Sequence, residues 1–124
     1  MQAPAPNDNF WNQLNHLLRT STLVIDRPRG TAHPRYPETV YPLDYGYLLG
    51  TTSGDGEGID VWVGSLPELE REVTGAVVTV DVVKRDSEIK VLVACTAEEA
   101  RVVLAWHNDG GQAAMLLERS PKAS

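Results

Sequence analysis

Short apolar runs separated by turn-forming residues constrain the fold of this chain more than any other feature of its sequence. The runs are rich in β-branched residues, which favour strands. Residues 84–87 separate two of the longest runs and predict a hairpin turn. The predicted strands span residues 22–26, 45–49, 59–63, 73–83, 88–96 and 113–118.

Two segments predict helices instead. Residues 8–19 repeat apolar side chains at helical spacing. Thr96 and Glu99 form the pattern of a capping box, which predicts a second helix from residue 97 to about residue 107. Several short strands with a helix near each end indicate an α+β fold, a small closed or partly open β-barrel with flanking helices.

Length and charge narrow the class of protein. The 124 residues predict a single domain over residues 1–124, with loose ends at residues 1–6 and 119–124. A net charge of −6 does not favour nucleic-acid binding, which needs a basic face. Neither a secretory leader nor a membrane-spanning run is visible in the sequence, so we expect a cytoplasmic protein without a membrane partner. The single cysteine, Cys95, lies in an apolar run and is expected to be a buried thiol.

An acidic loop, residues 51–58, leads into the third predicted strand. Asp55 and Glu57 alternate with glycines, and Asp60 interrupts the apolar strand that follows. Hard divalent cations prefer carboxylate oxygens, and a carboxylate beside a core needs a partner. The loop therefore predicts a metal site, while a solvated turn remains the alternative.

A proline-rich segment, residues 27–42, precedes the second predicted strand. Its four prolines exclude helix and central strand, so it is expected to be a structured loop. Arg27, Arg29 and Arg35 lie in this segment with His33 among them. Arginine forks match phosphate oxygens, although a solvated basic loop would look the same in sequence.

Two further motifs offer groups for a site. Tyr45, beside Gly46, is the tyrosine best suited to direct a hydroxyl into a site, whereas Tyr47 is expected to pack. Glu88 and Lys90 alternate along a predicted strand and therefore share one face. They form either a surface ion pair or a metal ligand next to a phosphate anchor.

The order of these motifs resembles the soluble magnesium-dependent inorganic pyrophosphatases. The resemblance rests on Tyr41-Pro42-Leu43-Asp44-Tyr45-Gly46-Tyr47, the acidic pattern of residues 55–60, and Glu88-Ile89-Lys90. It extends over roughly residues 22–94. It implies an OB-like barrel with helices, hydrolysis of diphosphate to two phosphates, Mg²⁺ or Mn²⁺ as cofactor, and a homo-oligomer associating through helices 8–19 and 97–107.

The resemblance also implies roles for individual residues. Glu57 would be the general base, with Tyr45 and Lys90 also in the catalytic site. Lys90 would contact phosphate as well. His33 aligns with a phosphate-binding arginine of the family, and Arg29 or Arg35 would take the role of that arginine. The implied metal ligands are Asp55, Asp60, Glu88 and Asp86.

Departures from the pattern leave other functions open. Glutamate stands at positions 57 and 88 where the family has aspartate, and Trp106 and His107 stand near a missing Tyr-Lys pair. We therefore expect a diphosphatase, with two alternatives. One is a hydrolase of a nucleotide or another small phosphorylated compound, in which Trp62 or Trp106 stacks on a base. The other is a non-catalytic relative that binds metal or phosphate.

Overall fold

A computed structural model describes residues 8–66 and 72–119. The predicted loose ends at residues 1–6 and 120–124 lie outside the described residues. Arg119, expected to be loose, is instead anchored, because its Nη1 donates to the Val73 carbonyl at 2.9 Å. The elements in chain order are α1 (Asp8–Thr20), β1 (Thr22–Arg27), β2 (Asp44–Leu49), β3 (Ile59–Val63), β4 (Val73–Asp81), β5 (Asp86–Val93), α2 (Ala97–His107) and β6 (Gln112–Glu118).

The strands form one six-stranded mixed sheet in the order β1-β2-β3-β5-β4-β6. Neighbouring strands are antiparallel except for β3 and β5, which run parallel. The α+β class is confirmed, but the barrel is not, because β1 and β6 remain the two open edges of the sheet. Because a helix packs against each face, the sheet buries an apolar layer on both sides without closing into a barrel.

Helix α1 covers one face of the sheet. Its apolar stripe buries Trp11, Leu14 and Leu18 against a cluster that includes Val61 and Val91. The predicted helical spacing is confirmed over this stripe, while Phe10 remains 38% exposed.

Helix α2 covers the opposite face. Its predicted capping box is present, with the Thr96 side chain accepting from the Glu99 amide and the Glu99 side chain accepting from the Thr96 amide. Such a cap contributes about 1 kcal/mol to helix stability. Val103 packs there with Trp62 and Tyr41, so the proline-rich segment shares this second core with α2. The face that carries α2 also carries the candidate site.

The hairpin between β4 and β5 turns earlier than predicted. Strand β4 ends at Asp81 rather than at residue 83, and the turn occupies residues 82–85 instead of 84–87. Asp81 Oδ1 accepts from the Val83 and Lys84 amides, which ends the ladder. Arg85 completes the turn with a φ of 60°. Val82 and Val83 were predicted as strand residues because valine has a high strand propensity. The hydrogen bonds to the Asp81 side chain that end the strand leave no pattern in the sequence.

Two smaller observations concern Cys95 and the helices. Cys95 is buried as a free thiol, as predicted. Neither described helix is long and apolar enough to cross a lipid bilayer.

Candidate active site

The centre of the candidate site is an ion pair between neighbouring parallel strands. Asp60 on β3 lies directly opposite Lys90 on β5, and Lys90 Nζ is 2.6 Å from Asp60 Oδ2. The Lys90 side chain is only 8% exposed. From the sequence, this carboxylate beside the core is expected to need a partner, and Lys90 is a partner that the structure shows; the predicted metal ligation stays a prediction.

Glu88 lies on the same face of β5, two residues before Lys90. Its Oε2 is 3.4 Å from Lys90 Nζ, and its side chain is 10% exposed. The other oxygen, Oε1, is buried and has no hydrogen-bond partner among the described residues. Burial is the largest cause that raises the pKa of Glu88; Lys90 opposes the rise, and the charges of Asp55 and Asp60 reinforce it.

The Lys90 ammonium compensates both carboxylates. Burial acts to lower the pKa of Lys90, but Asp60 and then Glu88 outweigh it, so the pKa is raised above 10.5. Lys90 therefore stays charged at every physiological pH. The predicted shared face of Glu88 and Lys90 is confirmed, and the buried setting makes the pair more than a surface ion pair.

Tyr45 completes the cluster from β2. Lys90 Nζ donates to the Tyr45 hydroxyl at 3.3 Å. Burial is the chief cause that raises the pKa of Tyr45, and the charge of Asp60 adds to it. The hydroxyl thus remains protonated and can donate a hydrogen bond. Gly46 beside it lies against the Val24 carbonyl so closely that a Cβ would overlap it, which explains the glycine between the two tyrosines.

The acidic loop approaches this cluster at Asp55. Gly56, with a φ of 87°, lets the loop turn. Asp55 Oδ1 accepts from Ser53 Oγ at 2.6 Å and from the Glu57 amide at 2.9 Å, which lowers the pKa of Asp55. Glu88 makes a smaller contribution that also lowers the pKa of Asp55.

Two predicted site residues are not joined to the cluster. Glu57 is exposed, and no hydrogen bond or ion pair links its carboxylate to another described residue. Asp86 lies across the ladder from Asp81 at the end of the hairpin, and its carboxylate likewise has no bond within the described ranges. Their predicted roles remain predictions.

The acids fit a hard cation by their chemistry but are not gathered around one point. Within residues 8–66 and 72–119, no three His, Cys, Asp or Glu side chains converge closely enough to hold a metal. The donors are nevertheless carboxylate oxygens, the class that Mg²⁺ prefers. The buried, unpartnered Glu88 Oε1 is the atom that such a cation would satisfy. The chemistry of Glu88, Asp55 and Asp60 therefore suits a hard cation, although their positions among the described residues do not form a three-ligand site.

The basic groups lie on the proline-rich side. Arg27, one of the three arginines singled out in the sequence, stands opposite Tyr45 in the β1–β2 ladder. Its guanidinium counters the rise in the pKa of Tyr41, a rise caused chiefly by burial. Arg29 and Arg35 are exposed, and the Arg29 amide donates to Asp44 Oδ1 at 2.9 Å.

The His33 ring is held by backbone amides of its own loop. Its Nδ1 accepts from the Arg35 amide at 3.0 Å and from the Tyr36 amide at 3.3 Å. Desolvation is the first cause that lowers the pKa of His33, followed by the positive charges of Arg27, Arg35 and Lys84. His33 is thus a neutral ring among three cations.

An aromatic cluster packs against Tyr45 on the core side of the site. Trp62 is fully buried, and its ring centre lies 4.6 Å from that of Tyr45. Trp62 Nε1 donates to His107 Nε2 at 2.9 Å, and His107 Nδ1 bonds Gln112 Oε1 at 2.8 Å. Sequence reasoning placed His107 near the site but missed this bond, because a histidine at the end of a helix carries no signal for a distant indole. Burial lowers the pKa of His107 to about 4.

Comparison with solved structures shows what this arrangement resembles. The inorganic pyrophosphatase of Helicobacter pylori aligns with a TM-score of 0.56 and 11% identity, over 77% of this chain and 81% of that one. The chain has the fold of an inorganic pyrophosphatase. The inorganic pyrophosphatase of Coxiella burnetii aligns with a TM-score of 0.52 and 17% identity, over 77% of this chain and 82% of that one. No protein-family model matches the sequence.

The pyrophosphatase fold agrees with the resemblance first seen in the sequence motifs. The two observations rest on different features, one on residue order and the other on the path of the backbone. At 11–17% identity the structural likeness establishes the fold alone.

Proposed function

We propose that this protein hydrolyses a phosphoanhydride, with inorganic diphosphate as the first substrate to test and Mg²⁺ or Mn²⁺ as the cofactor. One observation carries the proposal. Asp60, Glu88, Tyr45 and Lys90 meet in a buried polar cluster on three neighbouring strands, in a chain with the pyrophosphatase fold. A buried lysine between two acids is costly to a fold, so it is more readily explained by a site than by stability.

The cluster has the groups that phosphoryl transfer needs. Glu88, Asp55 and Asp60 would hold the cation, which when bound supplies Lewis-acid polarisation of the phosphoryl oxygens and makes water a better nucleophile. Lys90 stabilises negative charge on the phosphate, and Tyr45, kept protonated, donates a hydrogen bond to it. Glu57 on the acidic loop accepts the proton from the attacking water.

The phosphate-binding side would be built from the arginines already singled out in the sequence. Arg27, opposite Tyr45, joins Arg29 and Arg35 as a candidate to neutralise the substrate. His33 contributes as a neutral ring instead of a cation. We also propose a cytoplasmic homo-oligomer, with α1 and α2 as the surfaces to examine.

The deciding experiment is phosphate release from diphosphate in the presence of Mg²⁺ or Mn²⁺. We expect release that a chelator stops and that Asp60→Asn abolishes, while the exposed Asp109→Asn leaves it intact. Full activity of folded Asp60→Asn would overturn the proposal. A folded wild-type protein that binds metal and diphosphate without releasing phosphate would instead be a binding relative.

A further inference from the structure

An exposed aromatic surface lies beside the candidate site, and only its His33 has a role in the proposed hydrolysis of diphosphate. Tyr36 is 58% exposed and Val40 is 50% exposed. The His33 ring centre is 5.2 Å from that of Tyr36 and 6.4 Å from that of Trp106. We call these four residues, Tyr36, Val40, His33 and Trp106, the aromatic ledge.

Backbone hydrogen bonds hold the segment that carries the ledge. The His33 amide donates to the Thr39 carbonyl at 2.8 Å, and the Thr39 amide donates to the Tyr36 carbonyl at 2.8 Å. Pro34 and Pro37 lie on either side of Tyr36 in the sequence, and Trp106 Nε1 donates to the Val40 carbonyl at 3.2 Å, which ties Val40 to α2. An exposed ring held in this way loses little conformational freedom when a ligand stacks on it.

Ring contacts connect the ledge to the reacting groups. His33 stacks on Tyr41 with parallel planes and centres 5.9 Å apart, and Tyr41 lies 5.4 Å from Tyr45, whose hydroxyl bonds Lys90. Trp62, an alternative for stacking, is completely buried and cannot reach a ligand.

The charge around the ledge is opposite to that of the acidic loop. Besides desolvation, the positive charges of Arg27, Arg35 and Lys84 lower the pKa of His33, although the chain as a whole is acidic. A ligand that places a flat apolar ring on Tyr36 would therefore lie beside cations suited to phosphate oxygens.

We infer that the site takes nucleoside polyphosphates, with the nucleobase stacked on the aromatic ledge and the phosphoanhydride directed toward Lys90. The inference deepens the proposed function and rests on it. In the reaction, the water oxygen bonds to the attacked phosphorus, and the bond between that phosphorus and the bridging oxygen breaks. The bridging oxygen leaves with the second phosphorylated product, and the protons of the water are divided between the two products.

Calorimetry with two inert probes in Mg²⁺ tests the inference. Adenosine α,β-methylene diphosphate carries the base, and methylenediphosphonate lacks it. Removing a stacking partner lowers affinity about fivefold or more. We expect the nucleotide probe to bind at least about fivefold more tightly than the base-free probe, an advantage lost in Tyr36→Ala and kept in Tyr36→Phe.

Methylenediphosphonate affinity should stay the same in all three proteins. Equal affinities of the two probes, or an unchanged nucleotide affinity in Tyr36→Ala, would overturn the inference. Diphosphate hydrolysis would then still support the proposed function. Conversely, Tyr36-dependent nucleotide binding without release of phosphate from any substrate would support the ledge and overturn the hydrolase.

Discussion

Lys90 and Asp60 face each other across two parallel strands, with Nζ 2.6 Å from Oδ2. The pair lies at the boundary between the packed core and the acidic loop. Because Glu88 also contacts Lys90, one ammonium group balances two carboxylates that the fold has largely removed from water. Stability and function are therefore coupled at this residue.

Replacing Lys90 with methionine should reduce stability as well as activity. The substitution leaves Glu88, 10% exposed, and Asp60 without their shared cation. Breaking a buried pair from one side costs about 3 kcal/mol. Urea unfolding at neutral pH measures the loss, with exposed Arg101→Met as the control. A loss no larger than that of the control would contradict the buried role of Lys90.

Glu57 provides a test of the proton acceptor. We expect Glu57→Gln to lower kcat for diphosphate about 100-fold with little change in KM, because an amide cannot accept the proton. Since Glu57 is exposed, the variant should fold normally. Steady-state kinetics beside Glu98→Gln, an exposed glutamate of α2, measures the effect. Retained kcat would assign the proton transfer to another group.

The arginines of the proline-rich side can be ranked by kinetics. Arg27 lies opposite Tyr45, so Arg27→Ala should raise KM for diphosphate about tenfold through the loss of a charged hydrogen bond. Arg29→Ala and Arg35→Ala should have smaller effects, because both side chains are exposed. Arg101→Ala serves as the control for lost charge. A larger effect at Arg29 or Arg35 would reverse the ranking.

His107 should make the fold sensitive to acid. Its pKa is lowered by burial to about 4, whereas in the unfolded chain it is near 6.5. The unfolded state therefore binds the proton first as pH falls. The contribution of neutral His107 to the free energy of unfolding is fully present above about pH 6.5. It is lost progressively down to about pH 4, a change of about 3 kcal/mol.

Urea unfolding between pH 7 and pH 4 measures this dependence. His107→Gln, whose amide oxygen can still accept from Trp62, should lose less stability over the range than the wild type. His16→Gln, at an exposed histidine of α1, should behave like the wild type. Parallel pH profiles for all three proteins would contradict the assignment.

Some parts of the structure could be predicted because their signals are local. The capping box at Thr96 and the apolar stripe of α1 need only neighbouring residues, and both are confirmed. The unusual position of Asp60 in an apolar strand correctly indicated a partner. What could not be predicted was which partner, because the parallel contact between β3 and β5 joins residues that are 30 positions apart.

The sequence alone determined the order and type of the helices and strands, and the chemical types available to a site. It placed three acids before and in β3, and an acid and a lysine on one face of β5. Only the tertiary structure decided that Lys90 meets Asp60, that Glu57 faces solvent, and that the sheet remains open. The reason is that strand order and register bring distant residues together, whereas sequence periodicity reports only which face a side chain occupies.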